Sequence, residues 1–380
     1  MRAAISDRAT PFTAFFFACA VTAALAAPAG ATTEFARRTM LSCNACHSVG
    51  TRLTAFGDAF KTARFKVPRL TPIGDTPAAV RAQLVYSSDP DPTGLPKAIV
   101  DEIDFLSAGP IGKSLSYNSE VYLLDGGRIG SGREAWLEYQ SRQTQRLPVT
   151  LRAGLQVLPI PVDPERFRET NAHYALYDQT VGSNPFTFFD PHNALRVSLG
   201  HETHGLYASF LGVDPHDPAS SLARGPMDRM AALQDTLGEN VLSAYRYDGT
   251  RVLPGGNDRF TRTGYGYATY RGRATVTAVL QQGFDSNAGA GRFETSSSGG
   301  FVQGRYQIST TGFAIARYDG VNDSAGNFSR SFTFGGGAIF ARAFRVEIED
   351  SVTHVPQTHN ALSIVLGLGT STIHEGSFAY

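Results

Sequence analysis

From about Ala78 onward the chain repeats one pattern: segments of about ten residues in which polar and apolar positions alternate, parted by Gly, Asp, Asn and Pro clusters. In 150–157, Leu151, Ala153, Leu155 and Val157 fall on one side and Thr150, Arg152 and Gln156 on the other. Leu195, Val197 and Leu199 oppose Arg196, Ser198 and Glu202, and Val302, Tyr306 and Ile308 oppose Gln303, Arg305 and Gln307. Phe344, Val346 and Ile348 oppose Arg345, Glu347 and Glu349, while Leu362, Ile364, Leu366 and Leu368 form a last apolar face. Successive side chains of a strand point to opposite faces, so this period predicts strands with one apolar and one polar face.

A soluble sandwich would alternate too, and three features favour a membrane barrel instead. The segments have the roughly 9–12 residues that a tilted membrane strand needs. Their polar faces carry Arg and Glu, which suit a wet lumen. Aromatic residues recur near segment ends, at Tyr86, Phe105, Tyr139, Tyr245, Tyr247, Tyr270 and Tyr318, where interfacial girdles are expected. With no long apolar helix after the N-terminal region, a spanning chain must be a closed barrel. The expectation is an all-β outer-membrane barrel of about 14–16 antiparallel strands over 73–380, in contact with outer-membrane lipid. The C-terminal Phe378-Ala379-Tyr380 is compatible with the aromatic ending of such barrels. Two stretches break the rhythm. Residues 158–192 are interrupted by five prolines, among them Pro159, Pro161 and Pro185, and 213–237 reads as an Asp-rich loop.

The N-terminus has a different character. Arg2 and Arg8 precede an apolar run from Phe12 to Ala27, and Ala29-Gly30-Ala31 supplies a small-residue cleavage pattern, so 1–31 reads as an export signal. The run is shorter than the ~20 residues of a membrane helix, and Phe16-Phe17-Ala18 is a poor lipid-attachment context for Cys19. Beyond the leader only Cys43 and Cys46 remain, which excludes a disulfide-stapled fold. With 34 Lys+Arg against 34 Asp+Glu, nothing points to nucleic acid. The 39 Gly, 15 Tyr and 25 Phe suit a β-rich chain.

Cys43-Asn44-Ala45-Cys46-His47 is the C-x-x-C-H attachment pattern of c-type haem. In that pattern each thiol adds to a vinyl group, and His47 is the expected proximal iron ligand. A zinc site would need further ligands nearby, and a redox dithiol a βαβ surrounding; neither is present. The flanks of the motif read as short helices. Leu53, Phe56 and Phe60 recur at three and four residues, and Phe56 and Phe60 are expected against the porphyrin. The segment 32–72 is only about 40 residues, too few to enclose a haem alone. It also lacks an obvious sixth ligand: Met40 lies three residues before Cys43, and after His47 no Met precedes Met227 and no His precedes His173. The barrel's candidates are His201 and His204, following a strand whose polar face includes Arg196 and Ser198, and then His216, Met227 and Met230 in the expected loop.

An exported C-N-A-C-H segment followed by Thr54-Ala55-Phe56-Gly57, Phe60-Lys61 and a barrel-like remainder resembles the fused monohaem cytochrome–porin family of outer-membrane iron oxidases. The resemblance implies an electron conduit with one covalent haem c held in the barrel lumen. It would take electrons from an extracellular donor, usually Fe(II), and pass them to a periplasmic c-type cytochrome, acting as an Fe(II) oxidase. Two other classes compete with it: a haem protein with an open sixth site for a small ligand or peroxide, and a passive diffusion porin. No catalytic triad or metal-hydrolase motif is visible.

Overall fold

A computed structural model describes residues 79–368 apart from 89–97, 112–113, 127, 131, 142–144, 162–169, 203, 216–224, 254, 289–292, 310–311, 325–327, 341–343 and 356. The expected leader, the haem segment with Cys43, Cys46, His47, Phe56 and Phe60, His216 and the terminal aromatic residues lie outside the described residues.

The alternating segments form strands β1 (Ala79–Ser87), β2 (Ala98–Pro110), β3 (Leu115–Asp125), β4 (Arg128–Ile129), β5 (Gly132–Gln140) and β6 (Val149–Gln156). After a four-residue helix α1 (Ala175–Asp178) come β7 (His192–Gly200), β8 (Gly205–Val213), β9 (Asp228–Leu237), β10 (Asn240–Leu253), β11 (Gly256–Arg271) and β12 (Ala274–Asp285). The chain ends with β13 (Thr295–Gln307), β14 (Gly312–Asp323), β15 (Phe328–Phe340), β16 (Phe344–Val355) and β17 (Gln357–Leu368). Each pairs antiparallel with its neighbour in sequence, and β1 pairs with both β2 and β17, which closes the sheet. The short β4 and β5 both pair with β3 as two pieces of one stave, so the barrel has 16 staves. Closure satisfies every strand edge, the condition for β structure in lipid.

Ala82 pairs with Leu368, so β1 begins and β17 finishes at one end of the barrel, the terminal end. Tight two-residue turns at Gly238-Glu239 and Gly272-Arg273 also lie there, their glycines at φ 60° and 58°. The opposite, loop end carries the long connections 157–191 and 214–227.

All 16 staves expose at least one large apolar side chain outward, from Leu84, Leu137 and Leu195 round to Leu280, Val302 and Ile348. A continuous apolar exterior of this extent belongs in lipid rather than water. Inside, Arg152, Arg196, Arg305, Glu347 and Glu349 are buried, and the opposed Leu151, Leu195 and Tyr306 are exposed. The alternation thus predicted sidedness correctly at these positions, with Val157 the exception; for Phe344 and Arg345 only the backbone is described.

Four expectations are corrected. Tyr245 and Tyr247 are not girdle residues: they face inward and are 3% and 0% exposed. The stretch 213–237 is not one loop, because β8 runs to Val213 and β9 begins at Asp228. Met230 accordingly sits on β9, facing inward at 3% exposure. Val157 does not join the outer face; the strand finishes at Gln156 and Val157 is buried. Gly154, at φ 130°, lies just before that point, where a Cβ would lie 2.2 Å from the Ala135 carbonyl oxygen.

Candidate functional site: the lumen

In the stretch that resisted a strand reading, the described residues 158–161 and 170–191 fold into the lumen. Leu158, Ile160, Tyr174, Leu176, Tyr177, Phe186 and Phe188 form one buried cluster with inward residues of the wall, among them Leu211, Met230, Tyr245, Tyr247, Phe260, Val279 and Phe301. Inward positions of a porous barrel are expected to be polar. Here β8 to β13 present apolar and aromatic residues because an inserted segment covers them. Tyr174 and Phe301 approach to 4.4 Å between ring centres, and Phe186 and Tyr247 to 4.5 Å.

Polar anchors fix the insert at several staves. The backbone N–H groups of Asn171 and Ala172 donate to the Glu349 carboxylate on β16 at 2.8 and 2.7 Å. On β14, Asp319 accepts from Ala175 N at 3.0 Å, and Arg317 donates to His173 O at 2.8 Å. Arg133 of β5 donates to Phe189 O at 3.0 Å. Asn184 is fully buried, and its amide bridges Asp258 of β11 at 2.8 Å and Asp285 of β12 at 3.0 Å, while its oxygen accepts from Phe186 N at 3.0 Å. Asp285 is in turn paired bidentately with Arg262, at 2.7 and 3.1 Å. These contacts touch staves on several sides of the lumen, so the insert narrows the passage.

The rest of the wall is sharply charged. From β16 through β2 and β3 to β5 the inner face carries Glu347, Asp104, Glu120, Glu134 and Glu138, each no more than 6% exposed. Glu134 accepts from Asn118 at 2.8 Å and from the Trp136 indole at 3.3 Å. Beyond this acidic arc, Arg152 and Arg196 are direct cross-strand partners. Like charges in that position repel, and their neighbours offset it. Glu138 holds Arg152 at 2.7 Å, with the guanidinium 3.9 Å from the Trp136 ring centre, and Tyr207 accepts from Arg196 at 2.7 Å.

A closed barrel with an apolar exterior, a charged lumen and an inserted constricting segment sets the fold. Its fold is that of a closed 16-stave antiparallel barrel. No family model matches this chain, and no curated protein matches it in sequence. Solved structures similar to it include an anion-selective porin from Comamonas acidovorans, with TM-score 0.60, 10% identity and coverage of 77% of this chain and 98% of that one. OmpF of Salmonella typhi in complex with daunomycin gives 0.59 and 10%, over 77% and 96%. The outer membrane channel DcaP of Acinetobacter baumannii gives 0.56 and 10%, over 77% and 95%. At such identities the likeness is one of fold alone.

Within the barrel, His201 and His204 occupy the turn between β7 and β8 at the terminal end, their rings stacked 4.2 Å apart. Met227 is exposed at the loop end, whereas Met230 is packed into the apolar cluster, so the structure separates this pair. Among the described residues no group of three or more His, Cys, Asp or Glu is arranged to hold a metal ion. Sequence reading missed the insert and the acidic arc. The signal for the first was present: five prolines among Tyr174, Tyr177, Phe186, Phe188 and Phe189 describe a non-strand segment too apolar for an ordinary surface loop.

Proposed function

We propose that this chain is an outer-membrane channel whose passage is narrowed by the 157–191 insert, with its long connections outside and its short turns in the periplasm. The observation that carries it is the closed 16-stave barrel with an apolar exterior and a charged, constricted lumen. Short periplasmic turns and long outer loops are the usual arrangement of such barrels. The likeness to porins supports this reading for the barrel, as a passage for small hydrophilic solutes.

A second reading builds on the first: the channel is an electron conduit with a covalent haem c. The specific observation favouring it is Cys43-Asn44-Ala45-Cys46-His47, set ahead of the barrel in a chain whose first 31 residues read as an export signal. The haem would supply one-electron transfer between an extracellular donor such as Fe(II) and a periplasmic c-type cytochrome. Cys43 and Cys46 would anchor it and His47 hold its iron, with Phe56 and Phe60 packed on the ring and His201 or His204 as the barrel's candidates for the far side. Charge supports enclosure of this segment in the lumen. Residues 32–72 carry Arg37, Arg38, Arg52, Lys61, Arg64, Lys66 and Arg69 against only Glu34 and Asp58, and the arc from Glu347 to Glu138 is acidic.

Haem staining of the protein purified from outer membranes, with conductance in planar bilayers, separates the two. The conduit reading expects covalent haem in the intact chain, its loss in the Cys43→Ala/Cys46→Ala double variant, and membrane insertion of both. Intact protein without covalent haem, conducting solutes, leaves the passive channel standing and removes the conduit.

A further inference from the structure

On the lipid-facing side, cross-strand partners form one level row over five staves: Leu280, Gly300, Gly320, Arg330 and His354. Two adjacent members have no side chain, so the row opens into a groove of about 330 Å³ floored by backbone. The next outward row toward the terminal end reads Val302, Tyr318, Phe332, all exposed apolar or aromatic groups. The next row toward the loop end reads Ser298, Asn322, Phe328, with the Ser298 hydroxyl donating to Asn322 Oδ1 at 2.5 Å. The groove therefore straddles the upper border of the apolar belt, oily toward the mid-bilayer and polar toward the rim. Arg330 stands on that border, its guanidinium carbon 4.5 Å from the Phe328 ring centre.

Gly320 does not owe its small size to the barrel. A Cβ there would meet Arg330 Cγ and Ser329 O at 3.5 Å, an ordinary contact. Glycine in a strand interior weakens the sheet and often marks a close approach by another molecule. The face is bathed in lipid, a flat apolar floor suits an acyl chain, and a guanidinium fork steadied on an aromatic ring suits a phosphate.

We propose that this groove binds one phosphorylated glycolipid of the outer leaflet, with an acyl chain over Gly300 and Gly320 between Leu280, Val302 and Tyr318, and a phosphate on Arg330. The proposal rests on the outer-membrane orientation given above. The test measures lipid retained by the purified protein after exchange in mixed micelles with a bisphosphorylated, multiply acylated glycolipid, with phosphatidylglycerol, or with phosphatidylcholine. Gly320→Val fills the floor and Arg330→Gln removes the cation; a folding control is heat-modifiable electrophoretic mobility. The expected result is selective retention of the glycolipid, reduced about tenfold in each folded variant, the scale of one lost charge-assisted contact. Equal retention by wild type and variants, or preference for phosphatidylglycerol, overturns it. So does an oligomer that Gly320→Val takes apart at unchanged lipid content, which makes the groove a contact with a second copy. A chain that stays soluble without detergent would instead refute the membrane reading beneath it.

Discussion

Neighbouring residues of one strand in this barrel live in opposite solvents. On β16, Glu347 is 1% exposed in the interior and Ile348 is 52% exposed on the outer belt. The two substitutions Ile348→Arg and Glu347→Gln should therefore differ sharply in effect. A cation on the lipid face near mid-bilayer costs roughly 2–4 kcal/mol, so Ile348→Arg lowers the folded fraction seen by heat-modifiable electrophoresis. Glu347→Gln keeps the side chain's size and polarity and leaves that fraction near wild type. The reverse order would mean the strand register is shifted by one residue, since a slip of one exchanges the two faces.

At the scale of elements, the insert differs from the staves in what holds it. A stave is held by its backbone ladder on both sides, whereas 157–191 relies on side-chain anchors and one apolar cluster. Asn184 uses its amide N–H groups and its oxygen, and two carboxylates depend on it. Asn184→Leu leaves buried acceptors on Asp258 and Asp285 without that donor, a penalty of about 1–3 kcal/mol. The expected outcome is an insert cut faster by protease in 157–191, with the barrel still inserted and single-channel current noisier. Unchanged cleavage would show that the aromatic cluster alone secures the segment.

Across the whole molecule, charge is distributed unevenly between the lumen wall and residues 32–72. The acidic arc Glu347, Asp104, Glu120, Glu134 and Glu138 lies on the staves flanking β1, where residues 1–78 join the barrel. A truncated chain that keeps the leader and lacks 32–72 should conduct with cation preference, read as a reversal potential under a salt gradient. Asp104→Asn, Glu120→Gln and Glu347→Gln together should reduce that preference, more so at low salt where screening is weak. An anion-preferring truncated barrel would instead assign selectivity to Arg152 and Arg196.

What the sequence determined by itself is the local part of this architecture. Alternation in segments such as 150–156 and 344–349 is a property of consecutive residues, and a strand's side-chain period converts it directly into an inner and an outer face. The C-x-x-C-H string at 43–47 is equally local, and the haem expectation stands on it alone. Tertiary structure decided whatever depends on residues far apart in the chain. The fate of 158–192 is set by bonds such as Asn184 to Asp285, 101 positions apart, and Asn171 to Glu349, 178 apart. The inward turn of Tyr245 and Tyr247, which read as girdle residues, follows from the same event: an aromatic residue looks alike beside lipid or beside an inserted segment until the partner is known. Met230 joined β9 rather than a loop because its cross-strand partner Tyr247 continues the ladder there. Such pairings come from closing the sheet, and no window of neighbouring residues contains them.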